Sequence, residues 1–222
     1  MTLLRVDASI QGDRSASSAL TDLIIGQITA AQPQIAVVRR HLGEDPLPAT
    51  AWAAAGVGSH TPEADRTPAH REALELASRV ATELQEATSA VLALPLYNYG
   101  VSQRAKTWID LAVAGDPFGT PLLDGKPVVL VATRGGAYGP GGPRGGWDHN
   151  VDYLRRVLVD TWNADLTLVE REFTLVGVNP GPRRLHRPRR PDAPDREPRS
   201  QGRGHRTRRS LRRLAAEPAK QR

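Results

Sequence analysis

Leu92-Ala-Leu-Pro-Leu-Tyr-Asn-Tyr-Gly100 decides how this chain is read. The apolar run Ala90–Leu94 has the length and composition of a buried strand. It breaks at Pro95 into a turn that carries Tyr97, Asn98, Tyr99 and Gly100. In an open α/β sheet, ligands bind at the carboxyl ends of strands. Two aromatic rings, an amide and free backbone N–H groups placed there suit a flat heteroaromatic ring with polar edges. A flavin has that form. An ordinary turn whose tyrosines pack on the core accounts for the same residues.

Outward from this stretch, strands and helices alternate. Leu3–Ala8, Ile35–Arg40, Pro127–Ala132 and Leu166–Val178 read as further strands. Helical spacing runs through Ala19–Ala31, with Leu20, Leu23, Ile24 and Ile28 on one face. Thr67-Pro68 opens a helix that extends to about Glu86, Thr as cap and Pro at the first helical position. Ser102–Val113 sets Ala105, Trp108, Ile109 and Ala112 on one face, and Asp148–Thr161 is again helical. The Pro-, Gly- and Ala-rich segment Gly43–Arg66 is expected to run over the surface. Strands apolar throughout and joined by helices predict a parallel sheet covered on both faces. Five strands at these spacings predict a flavodoxin-like, doubly wound α/β fold.

The 222 residues suffice for one domain with a sizeable core. No apolar run reaches the roughly 18 residues that span a bilayer. Met1-Thr-Leu-Leu-Arg-Val-Asp7 leads straight into a strand without the regions of a signal peptide, so a cytoplasmic location is expected. The absence of cysteine excludes disulfides, thiolate metal sites and a Cys nucleophile. His60, His70 and His149 have no metal-ligand spacing, and no metal is expected.

The net charge of +6 is unevenly placed: residues 1–179 hold 15 Lys/Arg against 20 Asp/Glu, and residues 180–222 hold 15 against 4. The expected division is therefore an acidic globular domain over 1–179 and an Arg/Pro-rich tail over 180–222, disordered by composition. Arg/Pro/Gly-rich text in place of a covering helix is also what a shifted reading frame in a GC-rich gene would encode. The alternative, an arm for nucleic acid, requires salt-dependent binding to any duplex. No nucleic-acid or membrane partner is expected of the body.

Three loops after strands carry the candidate site. Ser9, Ser15 and Ser17, with Arg14, supply donors where a phosphate would meet a helix N-terminus, although Asp13 or Ser15 also serves as a plain cap. The second loop is Pro95–Gly100. The third, Thr133-Arg-Gly-Gly136, permits close backbone approach to a ligand or stands as a flexible turn. Neither a dinucleotide G-x-G-x-x-G nor a P-loop is present.

Taken in order, these segments resemble the FMN-dependent NADH:azoreductase family of flavodoxin-like quinone reductases, over about residues 2–178. The resemblance rests on Ala8-Ser-Ile10 with Ser15-Ala-Ser17, Thr67-Pro68 before Arg71-Glu-Ala-Leu74, and Pro95-Leu-Tyr-Asn-Tyr-Gly-Val-Ser102 with Lys106–Leu111. It continues through Leu123-Asp-Gly-Lys-Pro127, Thr133-Arg-Gly-Gly136, and Asp148-His149 ahead of Tyr153-Leu-Arg155.

The resemblance implies that Ser9, Ser15, Ala16 and Ser17 hold the FMN phosphate and ribityl end. Leu96, Tyr97, Asn98 and Tyr99 would contact the ring, and Thr133, Arg134, Gly135 and Gly136 would line its other edge. Tyr99 and Phe118 would line the substrate slot. It further implies a homodimer that reduces FMN with NADH and passes the electrons to quinones or azo compounds in a ping-pong cycle. No protein side chain is then expected to be catalytic in its own right. A flavodoxin-type electron carrier is the alternative. The shorter Asp116–Asp124 loop and Asp160–Asp165, in place of a Gly-rich aromatic turn, depart from the family pattern.

Overall fold

In the computed structural model, which describes residues 1–116 and 118–175, five parallel strands form one sheet in the order β2-β1-β3-β4-β5. They are β1 (Thr2–Asp7), β2 (Ala36–His41), β3 (Ser89–Ala93), β4 (Pro127–Thr133) and β5 (Asp165–Arg171). The helices are α1 (Ala16–Ala31), α2 (Ala51–His60), α3 (Pro68–Glu86), α4 (Gln103–Ala114) and α5 (Val151–Arg155, continuing as a π-helix over Arg156–Thr161). The expected tail, 180–222, and the last residues of the expected fifth strand lie outside the described residues. β5 itself stops at Arg171, and Phe173 just beyond it has φ 58°, a backbone that no strand continues.

The strand period of two sorts the apolar side chains between two layers. Leu4, Val6, Ala90, Leu92, Val128 and Leu130 join α3, α4 and α5 in the larger core. Their alternates Leu3, Val91 and Val131 pack with Ile25 of α1. Trp108 of α4 and Trp162, which follows the π turn, are fully buried and meet edge-on at 5.8 Å. Helix starts follow their caps: Ser15, Thr67 and Ser102 accept from the N–H of Ser18, His70 and Ala105.

Two sequence expectations are corrected. Gly43–Arg66 is not a bare excursion, because α2 lies within it and packs on α3 and α4. Its contact stripe is Ala51, Ala55 and Gly58, and a Cβ at Gly58 would stand 3.0 Å from that of His70. Small residues make this interface, so it lacks the large apolar stripe that marks most helices. On α1, Leu23 faces solvent, and the buried positions are Ser17, Thr21 and Ile25, with Leu20, Ile24 and Ile28 partly covered. The helix is rotated so that its small polar residues meet the sheet.

The strand order reverses between β1 and β3: the chain runs from β1 out to β2, then crosses to β3 on the other side. The carboxyl ends of β1, β3 and β4 therefore open a crevice at the switch point.

Candidate functional site at the strand ends

The crevice is lined from β1 and α1 by Ser9, Gln11, Ser15, Ala16 and Ser17. The β3 turn adds Pro95, Leu96, Tyr97 and Asn98, and the β4 loop adds Thr133, Gly135, Tyr138 and Arg144. Thr174 and Leu175, beyond β5, close it. Among the described residues no carboxylate lines it.

At one end, Ser15 caps α1 and its Oγ lies 3.1 Å from Ser17 Oγ, so two buried hydroxyls meet at a helix N-terminus. Such an arrangement suits an anion, because the helix dipole and the first N–H groups both point to it.

The β3 turn is tied down on three sides. Leu96 N–H donates to Thr133 O at 2.9 Å, and His149 N–H donates to Tyr99 O at 2.9 Å. Tyr97 Oη lies 3.1 Å from Ser9 Oγ and accepts from Ile10 N–H at 3.2 Å. Tyr97 and Gly100 exchange backbone hydrogen bonds around Asn98 (φ 48°) and Tyr99 (φ 70°). Two successive left-handed residues make this a turn of the primed type, which Asn tolerates and Tyr adopts at a cost.

Of the residues expected to bind cofactor, Ser9, Ser15, Ala16, Ser17, Leu96, Tyr97, Asn98, Thr133 and Gly135 share this crevice. Arg134, Gly136, Tyr99 and Phe118 are not in its lining. Phe118 is 87% exposed. Tyr99 lies outside the lining, tilted against the lining residue Tyr138 and edge-on to Trp147, ring centroids 6.5 and 5.7 Å away. Gln11, Pro95, Tyr138, Arg144, Thr174 and Leu175 line it without having been singled out from sequence. Gln11 and Pro95 sit in the first and second strand-end loops, only the run of glycines marks Tyr138 and Arg144, and Thr174 and Leu175 fall in the stretch expected as the fifth strand.

Arg134 has a different task. Its Nε donates to Asp148 at 2.5 Å, another nitrogen pairs with Glu170, and Nη1 lies 3.5 Å from Glu172. Burial works against its charge, but Asp148 and Glu170 outweigh that and hold the guanidinium more firmly protonated. Asp148 also accepts from the N–H of Asn150 and Val151, and Glu172 accepts from Tyr138 N–H at 2.7 Å. Arg134 thus fastens the glycine-rich loop to β5 and to the start of α5. Arg134→Met is expected to lower stability by about 2 kcal/mol, since three carboxylates lose a shared partner that is largely but not wholly buried. Urea denaturation of the two proteins checks this.

The crevice and its sheet define a class. A family model described as "Flavodoxin-like fold" matches residues 1–165. An FMN-dependent NADH:quinone oxidoreductase of Frankia alni is 36% identical over 183 residues, covering 80% of this chain and 86% of that relative. One of Methylorubrum extorquens is 38% identical over 165 residues, covering 71% and 80%. The chain belongs to this family of FMN-dependent NADH:quinone oxidoreductases. An FMN-dependent NADH-azoreductase of Bacillus anthracis, solved in complex with FMN, has the same fold, with TM-score 0.67, 18% identity and coverage of 79% and 89%. So does an azoreductase of Bacillus anthracis str. Sterne, at TM-score 0.64, 24% identity and coverage of 78% and 87%.

The residues present fit FMN. Paired hydroxyls at a helix N-terminus suit its phosphate, and among the described residues no lining carboxylate repels it. The backbone of Leu96–Asn98, Thr133 and Gly135 suits the polar edges of a ring.

Proposed function

We propose that this chain is an FMN-dependent oxidoreductase that transfers electrons from NADH to quinones and aromatic azo compounds. Bound FMN supplies the redox chemistry, accepting two electrons from NADH and giving them to the acceptor. Ser15, Ser17 and the N-terminal N–H groups of α1 hold the phosphate, with Ser9 steadied by Tyr97. Leu96, Tyr97 and Asn98 would hold one side of the ring, and Thr133 and Gly135 its other edge. The protein's part is to orient the ring and shield it from water. We assign no catalytic role to a lining side chain.

The observation that carries this reading is the meeting of three loops at the switch point in one crevice that, among the described residues, holds no carboxylate. The names and identities of the relatives support it. We further propose a ping-pong order, NADH and acceptor entering one opening in turn, and a cytoplasmic homodimer. Among the described residues no helix is long and apolar enough to cross a membrane, and no group of side chains could hold a metal ion. Residues 1–179, with 15 Lys/Arg against 20 Asp/Glu, carry a charge that favours small-molecule partners over nucleic acid. The composition break at Pro180 supports a flavin domain over 1–179, with 180–222 the product of a shifted reading frame.

Purified protein is expected to be yellow, or to become so with added FMN. Its flavin bands should bleach anaerobically on NADH and return with a quinone. A folded chain that stays colourless in excess FMN would overturn the proposal.

A further inference from the structure

We infer that Arg144 selects acceptors that carry an acidic substituent, a carboxylate or sulfonate, on a planar aromatic body. This rests on the oxidoreductase reading above and adds the charge of the acceptor to it.

Two guanidinium groups stand on the glycine-rich loop, and their surroundings differ. Arg134 is consumed by Asp148, Glu170 and Glu172 and lies outside the lining. Arg144 is in the lining, half-buried, and has no ion-pair partner among the described residues. Its guanidinium carbon lies 5.5 Å from the centre of the Tyr138 ring, and Nη1 donates to Tyr138 Oη at 3.2 Å. The same nitrogen would stand 3.2 Å from a Cβ at Gly136. Packing therefore restrains the head group while most of its donors remain unused. A cation held this way is preorganised for an anion.

The FMN phosphate has its own donors at the N-terminus of α1, so a second anion is the natural occupant. Arg144 lies with Tyr138, beside Tyr99 and Trp147, which are 44% and 51% exposed. An aromatic wall open to solvent recognises the flat body of an acceptor, and the neighbouring guanidinium recognises its charge.

The test compares matched acceptors on the FMN-loaded full chain. One pair is 1,2-naphthoquinone-4-sulfonate and 1,2-naphthoquinone; the other is the carboxylated dye methyl red and its uncharged parent 4-dimethylaminoazobenzene. For Arg144→Gln, the ratio of kcat/KM for the charged acceptor to that for the uncharged one is expected to fall about tenfold or more in both pairs. Arg144→Lys, which keeps charge but loses the planar fork, should recover part of that ratio. KM for NADH and the dissociation constant of FMN are measured alongside. A ratio that stays fixed while both acceptors slow overturns the proposal. So does a rise confined to KM for NADH or to FMN dissociation, which would assign Arg144 to the dinucleotide or the flavin. Failure of the oxidoreductase reading itself would show differently: the wild-type chain would reduce neither member of either pair with NADH, and this inference would fall with it.

Discussion

Gly43→Ala is expected to cost the protein its flavin, raising the FMN dissociation constant on the order of 100-fold, because the substitution strikes the phosphate loop through the backbone. A Cβ at Gly43 would stand 1.9 Å from the carbonyl oxygen of Ser9 and 2.8 Å from His41 Cε1. No rotamer change relieves the first contact, since a main-chain atom must move by more than an ångström. Ser9 cannot give way alone. Its Oγ accepts from Gln11 N–H and meets Tyr97 Oη, so displacement carries the first loop and strains the β3 turn with it. Gly26→Ala in α1 is the control: nothing lies within 4 Å of its Cβ, and alanine in a helix stabilises by about 1 kcal/mol relative to glycine. Titration of both apo-proteins with FMN separates loop displacement from general damage. Equal affinities would refute the argument.

The second large effect lies under the same loop. Asp7, at the end of β1, is fully buried, and its carboxylate accepts from Arg5 Nε at 2.6 Å and Arg39 Nε at 3.3 Å. Arg5 also pairs with Asp22. Asp7→Ala leaves the nearly buried Arg5 facing an empty place, and a loss of about 3–5 kcal/mol is expected at neutral pH. The pH dependence has a definite sign. Burial pushes the Asp7 carboxyl up, but Arg5 and Arg39 outweigh it and hold the group below the usual carboxylate range. A depressed value in the folded state means full stabilisation above the unfolded carboxylate's pKa, about 3.9, and its loss as pH falls through the folded value. Asp7→Asn should therefore be weakened at pH 7 and approach the wild type only below about pH 4. Denaturation midpoints across that range check it, and a gap unchanged down to pH 2 would contradict it.

Strands and helix starts were legible because each depends on local chemistry. Apolar runs such as Ala90–Leu94, and caps such as Thr67 before Pro68, need no distant partner to be read. α2 was not legible, because it hides its alanines and Gly58 while exposing Trp52 and Val57, the reverse of the usual pattern. Arg134 shows the other limit. Beside two glycines at a strand end it has the appearance of a ligand residue, yet Asp148, Glu170 and Glu172 arrive from distant positions and claim it. Arg144 shows the opposite case: a glycine-rich run gives no hint that Tyr138 will hold one of its side chains in place.

The three anchors of the Tyr97–Gly100 turn come from parts of the chain that have no reason to move together. Ser9 follows the end of β1, Thr133 ends β4 and His149 lies on the approach to α5. The turn works as a strain gauge wired across the top of the sheet, already loaded by two left-handed residues. A slip of any one of these segments relative to the others would stretch one of those hydrogen bonds. The shape of the crevice at Leu96–Asn98 is thus set jointly by three distant segments of the chain rather than by the turn alone.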